Sequence, residues 1–140
     1  MYQKIVVPVD LEHADKIDNA LRAAAALSRL WSAEVVYLAV HGSAPDRVAS
    51  SPEKFEVELD MFAREQAEAH DVERYTSCVV PSVDVAVELD DKLLEAIDDL
   101  GADLVVMASH VPGVPDRLHL LSSNAAKIVR QSSVSVFVVR

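Results

Sequence analysis

Polar residues suited to ligand binding follow two apolar runs and open one helical run. Asp10 directly follows the apolar run 5–9, and Ser109 follows the run 104–108. Three small polar residues open a later helical run: Ser122, Ser123 and Asn124. A carboxylate accepts hydrogen bonds, and the free N–H groups at a helix start bind anions such as phosphate. The same three residue types are also ordinary N-caps, and the two roles are compatible.

Signatures of catalysis and of metal binding are absent from the sequence. It contains no nucleophile–base pattern such as G-x-S-x-G, so we assign no catalytic residue. His110 has no second His, Cys or carboxylate at a recognisable ligand spacing, so we expect no metal site. Cys78 lies in a strand-like run and is expected to be a small buried hydrophobe.

Length, composition and charge exclude several classes of protein. The chain has 140 residues, 51% of them hydrophobic and 26% charged, which predicts one globular domain over residues 1–140. No apolar stretch is long enough to insert into a membrane, and the first ten residues lack a signal-peptide pattern. One cysteine indicates the reducing cytoplasm. The net charge of −10 makes nucleic acid a poor partner.

Short β-branched runs alternate with amphipathic stretches along the chain. The predicted strands are 5–9, 34–41, 75–80, 103–108 and 133–140, and the predicted helices are 15–30, 53–70, 85–100 and 122–131. This order predicts an α/β fold, a doubly wound five-stranded parallel sheet with strand order 3-2-1-4-5 and helices on both faces. Ligands of such sheets bind beyond the carboxyl ends of the strands, here where strands 1 and 4 are neighbours.

Four segments spread over the whole chain resemble the universal stress protein family. They are IVVPVD at 5–10, GADLVVMASH at 101–110, LLSSNA at 120–125 and VSVFVVR at 134–140. The resemblance implies a cytoplasmic α/β protein with an adenine-nucleotide alpha-hydrolase-like fold. It also implies binding of ATP or AMP, with Mg²⁺ present only together with the nucleotide.

The chain departs from the glycine signature of that family, G-x2-G-x9-G-[ST]. The three glycine positions are occupied by Ala108, Val111 and Ser122, with ten residues between the last two, and Ser123 retains the final hydroxyl. Glycine lets the backbone approach a phosphate closely or adopt a positive φ. Because Val111 is β-branched and disfavours a positive φ, the loop must follow another path there.

The resemblance implies specific nucleotide contacts for residues of this chain. Asp10 would hold the ribose or the base, and its alternative role is to cap the loop that follows. Val40 and Met107 would line the adenine pocket, and their alternative place is the core. The full set of implied contacts is Pro8, Val9, Asp10, Val40 and Met107 for the nucleoside, with Ala108, Ser109, Ser122, Ser123 and Asn124 towards the phosphates.

Three functions compete. The first is a non-catalytic regulatory protein of the stress response that binds an adenine nucleotide and signals to an unidentified protein partner. The second is an interaction module of the same fold that has lost nucleotide binding, which the missing glycines favour. The third is a slow ATP hydrolase. The apolar strand 134–140 should form a sheet edge, and it predicts a homodimer that pairs through this strand.

Overall fold

Five parallel strands form one sheet in the order β3-β2-β1-β4-β5. The computed structural model describes residues 1–109 and 120–140, and their side chains apart from those of 120–124. The strands are β1 (Lys4–Pro8), β2 (Glu34–Gly42), β3 (Tyr75–Ser82), β4 (Leu104–Ala108) and β5 (Ser135–Val139), and the helices are α1 (Asp18–Trp31), α2 (Pro52–His70), α3 (Val85–Asp99) and α4 (Leu120–Gln131). The predicted fold class and strand order are confirmed.

Strand β1 is the centre of the sheet. It pairs with β2 from Lys4↔Glu34 to Pro8↔Leu38, and with β4 at Ile5↔Leu104 and Val6↔Val105. The side chains of Ile5, Val6 and Val7 are all 0% exposed. Both faces of β1 are therefore covered, which explains why its sequence is continuously apolar instead of alternating.

Two apolar layers hold the helices against the sheet. On one face, Ala24 of α1 and Leu59 of α2 are buried with Val7 of β1. On the other face, Leu93 of α3 and Ile128 of α4 are buried with strand side chains such as Val6 and Leu38. Successive residues of one strand thus pack into opposite layers, as the two-residue period of a strand requires.

Two helix starts differ from the predictions by two residues or more. A 3-10 segment occupies Leu11–Ile17, so α1 begins at Asp18, because the Asp10 side chain accepts the Glu12 N–H and caps a separate short turn. Helix α4 begins at Leu120, two residues before its predicted start. The predicted N-cap role of residues 122–124 is therefore wrong, since these residues lie inside the first turns of α4.

Among the described residues, no helix combines the length and the apolar character needed to cross a lipid bilayer.

We expect Leu93→Ala to destabilise the fold strongly, since Leu93 is 0% exposed between α3 and the sheet. Deleting a buried leucine side chain removes its transfer free energy and leaves a cavity, which costs about 2–5 kcal/mol. Urea unfolding followed by circular dichroism measures the loss. The matched control is Leu30→Ala, because Leu30 is 69% exposed on α1 and its truncation should leave the midpoint nearly unchanged. Equal losses in the two variants would contradict this packing.

Candidate functional site

The carboxyl ends of β1 and β2 lie side by side along the carboxyl edge of the sheet, where the chain leaves the strands. Strand β1 ends at Pro8, which has no N–H to continue the ladder. The Val9 N–H still donates to the Leu38 carbonyl at 2.7 Å, and Asp10 is the first residue to turn away. The fixed end of β1 therefore places the Asp10 carboxylate above the sheet edge.

A cavity of about 260 Å³ opens at this edge. Its wall is built from the residues that follow β1, the end of β2 and its loop, and the starts of α2 and α3: Val9, Asp10, Leu11, Glu12, His13, Val40, His41, Gly42, Asp46, Val48, Phe55, Val85 and Leu89. Pockets that enclose whole drug-sized ligands have volumes of roughly 300–1,000 Å³. This cavity is therefore large enough for a part of a nucleotide but small for a complete one.

A larger cavity, of about 560 Å³, lies at the amino ends of the strands, opposite to the carboxyl edge. Its wall includes Ser32 and Ala33 before β2, and Arg74 before β3. These are the amino ends of the strands, whereas ligands of open α/β sheets bind at the carboxyl ends. None of the residues selected from the sequence lines it, so the smaller cavity is the candidate site.

Asp10 performs the capping role that was its alternative. Its Oδ1 accepts the Glu12 N–H at 3.1 Å, and its Oδ2 lies 2.9 Å from Nδ1 of His13. The carboxylate is still half-buried at the cavity wall, with its side chain 23% exposed. Capping therefore leaves part of the carboxylate open to a ligand, and the ribose contact stays a prediction.

The other residues predicted for the nucleoside occupy two different environments. Val9 and half-buried Val40 line the cavity. Pro8 is buried behind it, and Met107 is 1% exposed inside the layer formed with α3 and α4. Neither Pro8 nor Met107 belongs to the cavity wall, so the structure brings together only part of the predicted set.

The residues predicted for the phosphates lie towards β4 and α4. Half-buried Ala108 ends β4, and the N–H of Ser109 donates to the Val139 carbonyl of β5 at 2.7 Å. Helix α4 contains Ser122, Ser123 and Asn124. The N–H groups of the first three residues of a helix have no acceptor within the helix, and with Leu120 as the first residue of α4 these include that of Ser122. His110 and Val111 lie outside the described residues.

His41 is a site residue that the sequence reading missed. It is 5% exposed, its ring stacks on Phe55 with centroids 3.9 Å apart, and its Nδ1 lies 3.3 Å from Oδ2 of Asp46. Its Nε2 is buried and has no hydrogen-bond partner within the described part of the chain. The available signal was a histidine that ends an otherwise apolar strand.

The second oxygen of Asp46 organises the loop after β2. It accepts the N–H groups of Val48 and Ala49 at 2.8 and 2.9 Å. Because an ionised carboxylate only accepts hydrogen bonds, the Nδ1 of His41 carries the proton that faces Asp46.

The start of α3 is fixed by Glu88. Its carboxylate accepts the Ser82 hydroxyl and the N–H groups of Val83 and Asp84, the latter two at 3.0 and 3.4 Å. These hydrogen bonds, with that from Ser82 the largest cause, lower the pKa of Glu88. The same contacts position Val85 at the cavity wall and place a negative charge at the positive end of the helix dipole.

The cavity wall is acidic. It contains the carboxylates of Asp10, Glu12 and Asp46, two histidines, and no lysine or arginine among the described lining residues. Such a wall favours hydroxyl donors, amines and cations over bare phosphate. A nucleotide bound there would therefore direct its phosphates away from this wall.

Comparisons with known proteins place the chain in one family. The model of the universal stress protein family matches residues 1–140. Universal stress protein G of Shigella flexneri is 32% identical over 146 residues, covering 100% of both chains. The solved structure of a universal stress protein in complex with cAMP matches with a TM-score of 0.71 and 22% identity, over 99% of this chain and 97% of the other.

A second solved structure has the same fold. It is the universal stress protein of Archaeoglobus fulgidus in complex with dAMP, which matches with a TM-score of 0.63 and 20% identity. The match covers 99% of this chain and 98% of that one.

We expect Glu88→Gln to destabilise the protein at pH 7, because glutamine lacks the charge that strengthens the three hydrogen bonds. The pKa of Glu88 lies below its ordinary value of 4.5 in the folded chain. The carboxylate's contribution is therefore full above that value and is lost as the pH falls through the folded pKa. Urea midpoints of E88Q and wild type should differ at pH 7 and converge once the pH has fallen below the folded pKa of Glu88.

The matched control for this prediction is Glu95→Gln, an exposed position on the same helix. It should follow the wild type at both pH values. A difference between E88Q and wild type that does not change with pH would show that the charge of Glu88 contributes nothing.

Proposed function

Because the chain belongs to the universal stress protein family, we propose that it binds an adenine nucleotide, ATP or AMP, as a non-catalytic regulatory protein of the stress response. The supporting observation is the cavity at the carboxyl ends of β1 and β2, with Val9, Asp10 and Val40 in its wall. Relatives with the same fold have been solved with cAMP and dAMP.

The nucleoside accounts best for the shape and polarity of the cavity. Asp10 would accept hydrogen bonds from the ribose hydroxyls through the part of its carboxylate that capping leaves open. Adenine would pack against the apolar side chains of Val9 and Val40. Because Met107 is buried in the core, we place the base against these two valines instead.

The phosphates would extend towards β4 and the start of α4. Strand β4 is the other neighbour of β1, so Ala108 and Ser109 follow the sheet edge beside the cavity. The first N–H groups of α4 and the positive end of its dipole would attract the phosphates. The acidic cavity wall would favour the same direction by repulsion, and Mg²⁺ would arrive with the nucleotide.

The second candidate is an interaction module that binds a protein partner and no nucleotide. The observation that favours it is the loss of all three signature glycines, at Ala108, Val111 and Ser122. A slow ATP hydrolase ranks third, because we assign no described residue to activate water. In all three cases we place the chain in the reducing cytoplasm, where free Cys78 would persist.

We expect ATP and AMP to raise the Tm in a thermal-shift assay, because a ligand that binds only the folded chain adds stability. A hundredfold excess over Kd adds about 2.7 kcal/mol. For a domain of this size that is roughly 5–10 °C. The absence of any shift at millimolar ATP and AMP would favour the interaction module.

Two variants test separately the proposed contacts to the nucleoside and to the phosphates. Asp10→Asn keeps an oxygen for the Glu12 N–H and removes the charge, so it should weaken adenosine, AMP and ATP alike, by roughly tenfold. Ser123→Asp adds a charge near the phosphates, so it should weaken AMP and ATP but not adenosine. Asp15→Asn is the control outside the cavity. Unchanged affinities in calorimetry for either test variant would overturn its assignment.

The edge strand β5 supports the proposal of a homodimer. Among the described residues it pairs with β4 alone, and its apolar residues Phe137 and Val138 are 48% and 40% exposed. The strand at the other edge of the sheet, β3, carries polar side chains that bond within the chain. The exposed Thr76 hydroxyl donates to Glu34, and the Ser77 hydroxyl donates to Asp60. A second copy of the chain would cover the apolar edge and extend the sheet.

We expect Phe137→Lys to convert the dimer into a monomer, because it places charges against each other or against apolar side chains at the paired edge. Light scattering coupled to size-exclusion chromatography measures the mass. Val87→Lys is the control, since Val87 is 76% exposed on α3, away from β5. A wild-type monomer at micromolar concentration, or a dimer that persists in F137K, would contradict pairing through β5.

A further inference from the structure

We propose that Asp10, Glu12 and His13 form a binding site for a divalent transition-metal ion at the cavity wall, independent of any nucleotide. Each residue offers one ligand atom, and these atoms all lie within 4.8 Å of one another. The three residues belong to one short segment, Asp-x-Glu-His, directly after the central strand. The site goes beyond the nucleotide function, because its ligands come from the protein alone, and it departs from the expectation from the sequence that there is no metal site.

The distances within the cluster match those around a metal ion. Oδ2 of Asp10 and Nδ1 of His13 are 2.9 Å apart. Two ligands of an ion with bonds of about 2.1 Å are separated by about 3.0 Å at a right angle and by about 3.4 Å at the tetrahedral angle that Zn²⁺ prefers. An ion would therefore replace the proton between these two atoms after a small separation of the side chains, and the exposed Glu12 carboxylate, within 4.8 Å of both atoms, would move closer as the third ligand.

The local backbone brings the three side chains together. The Glu12 N–H donates to Oδ1 of Asp10 at 3.1 Å, which holds the other carboxylate oxygen towards His13. The backbone of His13 is non-helical, with φ −127° and ψ 30°. This break in the 3-10 segment turns the histidine back towards Asp10.

His41 supplies a second, independent observation. It lines the same cavity, is 5% exposed, and its Nε2 has no hydrogen-bond partner among the described residues. A buried ring nitrogen without a partner carries an uncompensated desolvation cost, which a polar group bound at this cavity would reduce if it contacts Nε2. A water molecule bound to a metal ion is a strong hydrogen-bond donor, and it is one group that would pair with this nitrogen, for which the described residues provide no partner.

The charge and the ligand types indicate the class of metal. The described cavity wall carries three carboxylates and no lysine or arginine, so its potential attracts cations. One imidazole with two carboxylates suits Zn²⁺, Co²⁺ or Mn²⁺, whereas Mg²⁺ and Ca²⁺ prefer oxygen ligands alone. We therefore expect binding in the order Zn²⁺ above Mn²⁺ above Mg²⁺.

Isothermal titration of the nucleotide-free protein with ZnCl₂, MnCl₂ and MgCl₂ tests the site. The expected result is one Zn²⁺ ion per chain, with Mg²⁺ at least tenfold weaker. Glu12→Gln and His13→Gln should each weaken Zn²⁺ binding by at least tenfold. The matched controls are Asp15→Asn in the same segment and His70→Gln at the end of α2, and both should bind as the wild type does.

Nitrogen NMR of the histidine side chains identifies the ligand atom. Addition of one equivalent of ZnCl₂ should move the Nδ1 signal of His13 and leave the signals of His70 unchanged. The proposal would be overturned if the wild type shows no saturable Zn²⁺ binding, or if E12Q and H13Q bind Zn²⁺ as tightly as the wild type does. Because no nucleotide is present in these experiments, that failure would leave the adenine-nucleotide proposal intact.

Discussion

The parallel pairing of β1 with β2 on one side and β4 on the other is the constraint on which the rest of the structure depends. The strand can be central only because Ile5, Val6 and Val7 are fully buried, with apolar layers on both faces. Since all strands run in the same direction, their carboxyl ends meet at one edge. Every residue discussed as a ligand contact lies at that edge, or on a segment that follows it.

Proline and aspartate convert the end of β1 into a site. Pro8 is the last residue of β1, and Asp10 uses one carboxylate oxygen to start the next turn and the other to hold His13. The cost is an acidic wall, which Asp46 makes more negative while it orients His41. The cavity is therefore suited to hydroxyl donors and cations, and phosphate needs the helix start beside it.

The fold could be predicted from the sequence because its signals are local and agree with one another. Short β-branched runs alternate with amphipathic stretches, and a doubly wound parallel sheet covers both faces of five such runs. The site was harder to predict. Side-chain capping by Asp10 delayed the start of α1, which a pattern of apolar residues does not reveal. An apolar strand residue such as Met107 looks the same in the sequence whether it lines a pocket or lies in the core. Whether Nε2 of His41 has a partner among the described residues depends on residues far from it in the sequence.

The central claim is that the cavity at the carboxyl ends of β1 and β2 holds the nucleoside part of an adenine nucleotide. Titration of ¹⁵N-labelled protein with AMP, followed by amide chemical shifts, tests it most directly. The account predicts that the largest shifts fall on residues 9–13 and 40–42 and on Val85, all of which surround the cavity. Shifts confined to the opposite edge of the sheet, around Arg29 and Arg74, or no shifts at saturating AMP, would contradict it.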